Sequence, residues 1–139
     1  MTAQALHKVH TATNDVLKGY REMLERSQAD IRPVISRLIY LHEQHAAEQI
    51  AELARFGDAG REDTSFQGTV NKTVVIVRDW ISNLDRGALP SVRQGEEALR
   101  DEYTKVLQDE GVSGDSAVAM LLKSQVSALN SAIASLPTT

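Results

Sequence analysis

The sequence predicts an all-α protein of four long antiparallel helices, with one long crossover between the second and the third. Three observations predict it. Chain breakers are scarce, with 8 Gly and 3 Pro in 139 residues, and most of them punctuate long segments, Gly19 and Gly95 being the exceptions within them. Inside those segments apolar residues recur with a period near 3.6, which marks an amphipathic helix rather than a strand. Two of the three joints are short, whereas the middle one runs to about 30 residues, enough to travel the length of a bundle.

The first helix extends from Ala3 to about Arg26, where Leu6, Val9, Val16, Leu17, Tyr20, Met23 and Leu24 line one face. The second is placed at 31–56. Asp30 stands where a cap is needed, and Pro33 is tolerated because first-turn amides have no helical partner. The joint at Gln28 and Ala29 is short enough to force these two helices side by side and antiparallel. A loop with three glycines, GDAGREDTSFQG, follows. The next stretch, TVNKTVVIVRDWISNL at 69–84, is rich in β-branched residues that suit strands. It is nevertheless read as a crossover helix, because a lone strand would leave its backbone groups unpaired. After Gly87, a third helix starts near Pro90 and stops at Gly111, the usual placing of proline and glycine at helix ends. A fourth begins near Asp115, carries Val118, Leu121, Leu122, Leu129 and Ile133 towards Leu136, and ends at Pro137. Two short-linked hairpins joined by one long connection is the single-crossover topology of ferritin-like bundles, and residues 1–139 are read as one such domain.

Bulk composition excludes several classes of function. At 42% hydrophobic the chain can bury a core without staples. The absence of cysteine removes disulfides, thiolate metal sites and cysteine nucleophiles, and fits a reducing, cytoplasmic home. A net charge of -4 with acids and bases intermixed gives no basic patch for nucleic acid. No signal-like N-terminus is apparent, and no apolar run approaches the roughly 20 residues that span a bilayer, so no membrane role is expected.

The informative departures are polar residues at positions that should face the core. The first helix puts His10 in the row 6, 10, 13, 17, 20, 24. The second puts His42 and His45 in the row 31, 35, 38, 42, 45, 49. Glu96 points inward between Val92 and Leu99, and Gln125 sits between Leu122 and Leu129. Each buried polar group costs about 1 to 3 kcal/mol unless it finds a partner, so this set should be mutually bonded, hydrated or metal-bound. Counting outward from the first turn places His10, His45 and Glu48 at one level, and two imidazoles with a carboxylate suit Zn, Fe or Mn. Histidines hydrogen-bonded in the core or at its rim are the alternative. A di-iron bundle needs a Glu from two helices and Glu-x-x-His from the other two. The fourth helix has no Asp, Glu or His, so a symmetric dinuclear centre is not expected. Glu96 and Glu97 are neighbours on a helix and diverge by about 100°. No phosphate loop, HExxH or GxSxG occurs, and no catalytic residue is assigned.

The order of features is similar to that of a known group. L-x-x-V followed by N-D-x-x-x-G-Y-R (Leu6 to Arg21), A-A-E (Ala46 to Glu48), a glycine then R-x-W (Gly68 to Trp80), G-E-E with a Tyr six residues on (Gly95 to Tyr103), and a final helix with Gln125 resemble the uncharacterised ferritin-like four-helix-bundle proteins of bacteria, a domain of unknown function. The resemblance implies the fold first. It also implies a stress-associated or metal-binding role, with Asp15, Glu48, Glu96 and Glu97 as the matching acidic positions. Where the group leads one to expect Glu near position 11 and His near position 130, this chain has Thr11 and Asn130.

Three functional expectations follow. The first is a non-enzymatic bundle that works by associating with itself, as a dimer, or with another protein. The second is a mononuclear or degenerate metal site using His10, His45 and Glu48, or Glu96 and Glu97, with His42 as an alternative ligand. The third is a ferroxidase-like oxidase.

Overall fold

The computed structural model describes residues 2–27, 29–57 and 89–137. Among these residues the protein is all-α, with five helices and no strand: α1 (Thr2–Arg26), α2 (Arg32–Ala54), α3 (Leu89–Leu107), α4 (Glu110–Ser113) and α5 (Ser116–Ala134). The expected crossover helix at 69–84 and Trp80 lie outside the described residues.

The ends of these helices follow from local chemistry, with two departures from expectation. Asp30 does not cap α2. The N-cap position is Ile31, which makes no side-chain cap bond and is fully buried, while Pro33 occupies the first turn. Burying an isoleucine here outweighs the lost cap bond, because full burial of such a side chain contributes about 1.5–3 kcal/mol against about 1 for a cap. Gly111 does not end the third helix either. α3 stops at Leu107, and Asp109 then caps the short α4 by accepting from the amides of Gly111 and Val112. That extra turn drives Val112 into the core. Asp115 caps α5, accepting from the Val118 amide, at the point where the sequence places the start of this helix.

Hydrogen bonds between helices fix their directions. His10 meets Gln49 and Arg21 meets Glu43, so α1 and α2 run antiparallel. Tyr20 meets Glu96 and Thr13 meets Tyr103, so α1 and α3 are antiparallel too. His42 meets Glu96 and Gln49 meets Tyr103, an equal offset of 54 residues in both, so α2 and α3 are parallel. Gln49 with Gln125 and Arg55 with Asp115 set α5 antiparallel to α2. α1 packs most extensively on α2, and α3 on α5. Leu6, Val9, Val16, Met23, Ile35, Leu38, Leu53, Leu99, Leu122 and Leu129 form the shared core between them.

α5, 19 residues long, is by length and composition apolar enough to cross a membrane. In the fold it lies against α3 and sends Gln125 across to α2, and only a third of its span is buried, because small residues such as Ala117, Ser124, Ser127 and Ala134 cover its outer side.

Candidate functional site

Two polar layers cross the interior, seven residues apart on each of three helices: Thr13 and Tyr20 on α1, Gln49 and His42 on α2, Tyr103 and Glu96 on α3. Seven residues of helix rise about 10.5 Å, so the layers are two separate sites.

The first layer joins all four long helices, and its bond directions follow from one charge at the rim. The Glu48 carboxylate can only accept, so the Gln125 amide nitrogen faces it, at 2.9 Å, and also faces the His45 carbonyl at 3.3 Å. That turns Gln125 Oε1 towards α2, where it accepts from Gln49 Nε2 at 3.0 Å. Gln49 Oε1 is thereby turned to His10 Nδ1, 3.0 Å away, so that nitrogen must carry the proton. The bare His10 Nε2 accepts from Asn14 Nδ2 at 3.1 Å. Tyr103 completes the layer. Thr13 donates to the Val9 carbonyl, so the Tyr103 hydroxyl donates to Thr13 at 2.7 Å and accepts from Gln49 at 2.7 Å. Burial holds His10 below its ordinary pKa; the Gln49 bond opposes this and the charge of His7 reinforces it. Burial likewise pushes the Tyr103 hydroxyl upwards. Both groups are therefore neutral hydrogen-bonding partners near neutral pH.

The second layer is compact and ionisable. Glu96 Oε2 accepts from the Tyr20 hydroxyl at 2.6 Å and from His42 Nε2 at 2.7 Å, and the carboxylate and the imidazole are fully buried. The Tyr20 and His42 rings stack at 5.9 Å with 12° between their planes. Burial, then the charge of Glu96 and the bond to it, raises the Tyr20 hydroxyl well above its ordinary range. The His45 ring lies edge-on to that of His42, 6.3 Å away. Burial and the neighbouring His42 lower His45 to about 4, against the pull of Glu48 and Glu96. Glu96 Oε1, His42 Nδ1 and His45 Nδ1 make no hydrogen bond among the described residues. Seven residues beyond Gln125, α5 carries Ala132, so it has no polar side chain to extend to this layer.

The structure thus divides the six candidate ligands of the sequence. His42 and Glu96 are bonded to each other, with His45 beside them. His10 belongs to the other layer, where its neighbour on α2 is Gln49, one residue beyond Glu48. Glu48 is exposed and reaches inward only through Gln125, and Glu97 is half-buried with its direction diverging from that of Glu96. Among the described residues no three His, Asp or Glu side chains gather closely enough to hold a metal ion. Gln49 and Thr13, which link the first layer, are not singled out by sequence reasoning. Both occupy inward rows that the periodicity marks, and the signal was a polar residue in an apolar row whatever its chemistry.

An all-helical chain with two stacked layers of buried polar side chains defines a class but not an activity. The chain belongs to the family described as Domain of unknown function (DUF2383), whose model matches residues 1–109 and so takes in α1, α2 and α3. No curated protein and no solved structure matches it.

Proposed function

We propose that this protein is a single ferritin-like four-helix bundle that works without catalysis, as a dimer or bound to a protein partner. Support for the ferritin-like arrangement comes from the parallel run of α2 and α3, which requires a crossover between them, with antiparallel hairpins on either side. The observation that carries the functional reading is the first layer. At the level where four helices could present ligands or catalysts, His10, Thr13, Gln49, Tyr103 and Gln125 satisfy one another, and the only charge in the chain of bonds lies at the rim. Recognition then falls to the outer face, where Met120 on α5 is 71% exposed and Ile50 on α2 is 37% exposed. A partner that covers these two groups would remove apolar surface from water. Sedimentation velocity over a range of concentrations tests this: the wild type should reach dimer mass and Met120→Lys should stay monomeric. A monomer at every concentration would remove the dimer.

A second reading is favoured by the unbonded Glu96 Oε1, His42 Nδ1 and His45 Nδ1, since buried polar atoms without partners invite an ion or a small polar molecule. Zn, Fe or Mn would be held there by Glu96 and the two histidines after rearrangement of their rings. Metal analysis of protein purified without chelator, repeated on His45→Ala, separates the readings. A stoichiometric metal lost in the variant would favour this one.

A further inference from the structure

α2 and α5 are tied together at one end and open at the other. Gln125 bonds to the His45 carbonyl and to Glu48, and Arg55 bonds to Asp115. From Gln44 towards the start of α2 no hydrogen bond joins the two helices among the described residues, and the gap becomes a groove of about 650 Å³. That volume falls within the roughly 300–1,000 Å³ of small-molecule sites. Val34, Leu38, Leu41, Ala128, Ala132 and Leu136 give it apolar walls.

Its polar lining is sparse and unequal. Gln44 donates to the Tyr40 hydroxyl at 2.9 Å, so these two occupy each other. Arg37, like Arg26 on α1, makes no hydrogen bond or ion pair among the described residues, whereas Arg21, Arg32, Arg55, Arg93 and Arg100 are bonded; of the two unbonded arginines Arg37 is the one that lines the groove. No Asp or Glu lines the groove among the described residues, although the chain as a whole carries a net charge of -4. An apolar trough with one unpaired guanidinium is complementary to a molecule with one carboxylate and an apolar tail, because the guanidinium fork matches a carboxylate two bonds at a time.

We infer that the α2–α5 groove binds a linear aliphatic carboxylate of medium length, its carboxylate on Arg37 and its chain along Leu38, Leu41, Ala128 and Ala132. The length follows from the helix: from Arg37 to Gln44 the groove wall extends about 10 Å. This site lies at the opposite end of the α2–α5 pair from Ile50 and Met120, so it stands or falls separately from the association proposed above.

The test is calorimetric titration of the full chain with decanoate and with decanol, on wild type, Arg37→Gln and Ala132→Trp, with circular dichroism to verify folding. Decanoate should bind wild type saturably at one per chain. Arg37→Gln, a change at an exposed position, should weaken decanoate by about tenfold, the equivalent of losing one charge-assisted contact. It should leave decanol within about twofold, since decanol brings no charge for the fork to match. Folded Ala132→Trp should bind neither. No saturable uptake of decanoate by wild type would overturn the inference, as would a parallel loss of decanoate and decanol in Arg37→Gln.

Discussion

The residues that define this protein are those that sit in apolar rows without being apolar. His45 shows what that placement does to proton binding. Its pKa is lowered to about 4 in the fold, against about 6.5 for a free histidine, so the unfolded chain binds a proton that the folded one refuses between those values. The associated stability is complete above pH 6.5 and drains away as pH falls towards 4, at most about 3 kcal/mol. His10, also lowered by burial, adds in the same direction. Urea midpoints measured from pH 7 to pH 4.5 should fall steeply for wild type and less steeply for His45→Gln; equal slopes would remove His45 as the cause. Glu96 acts differently, since one oxygen holds both Tyr20 and His42. Glu96→Ala strands a buried hydroxyl and a buried imidazole, and should cost about 3–5 kcal/mol by denaturant titration. The inward direction of His10, His42, His45, Glu96 and Gln125 was legible from spacing alone. Which of them would meet was not, because an error of one residue in the helix register exchanges Glu48 for Gln49 and turns a metal-ligand set into an amide chain. Periodicity fixes a face of a helix, whereas the level at which two helices meet depends on the turn between them.

At the scale of the helices, the departures arose where two local preferences compete. Asp30 is a good capping residue, yet Ile31 takes the cap position because its side chain fits the core. Gly111 looks like a stop, yet Asp109 upstream supplies two amide bonds that start a new turn, and the glycine lies inside it. Neither outcome could be read from one helix in isolation, since both turn on what the core accepts. Asp109→Ala should unravel α4 and expose Val112, lowering stability by about 1 kcal/mol and speeding amide exchange at Gly111 and Val112 above all. The cross-links between helices carry more weight. Gln49 alone touches α1, α3 and α5, so Gln49→Leu leaves His10, Tyr103 and Gln125 each short of a bond. About 3 kcal/mol or more should be lost in thermal or urea unfolding, more than the extra apolar burial of leucine returns.

For the molecule as a whole, the four long helices and the long connection between α2 and α3 were readable because breakers and period act over tens of residues and tolerate local error; the short α4 was not. What the protein does was not readable in the same way, since an outer face of small residues and a few exposed apolar groups leaves no spacing to detect. The interior nevertheless restricts the choices. If the first layer is a closed set of hydrogen bonds, then the four helices serve as a rigid support and recognition takes place outside. Nitrogen-15 NMR of the His10 imidazole reads that set at its far end. The expected result is a neutral ring at pH 7 with its proton on Nδ1, the less common form in water, unchanged when Zn, Fe or Mn is added. A proton on Nε2, or a signal that moves on addition of stoichiometric metal, would mean that the layer is open to a ligand and that the interior, not the surface, is where the protein acts.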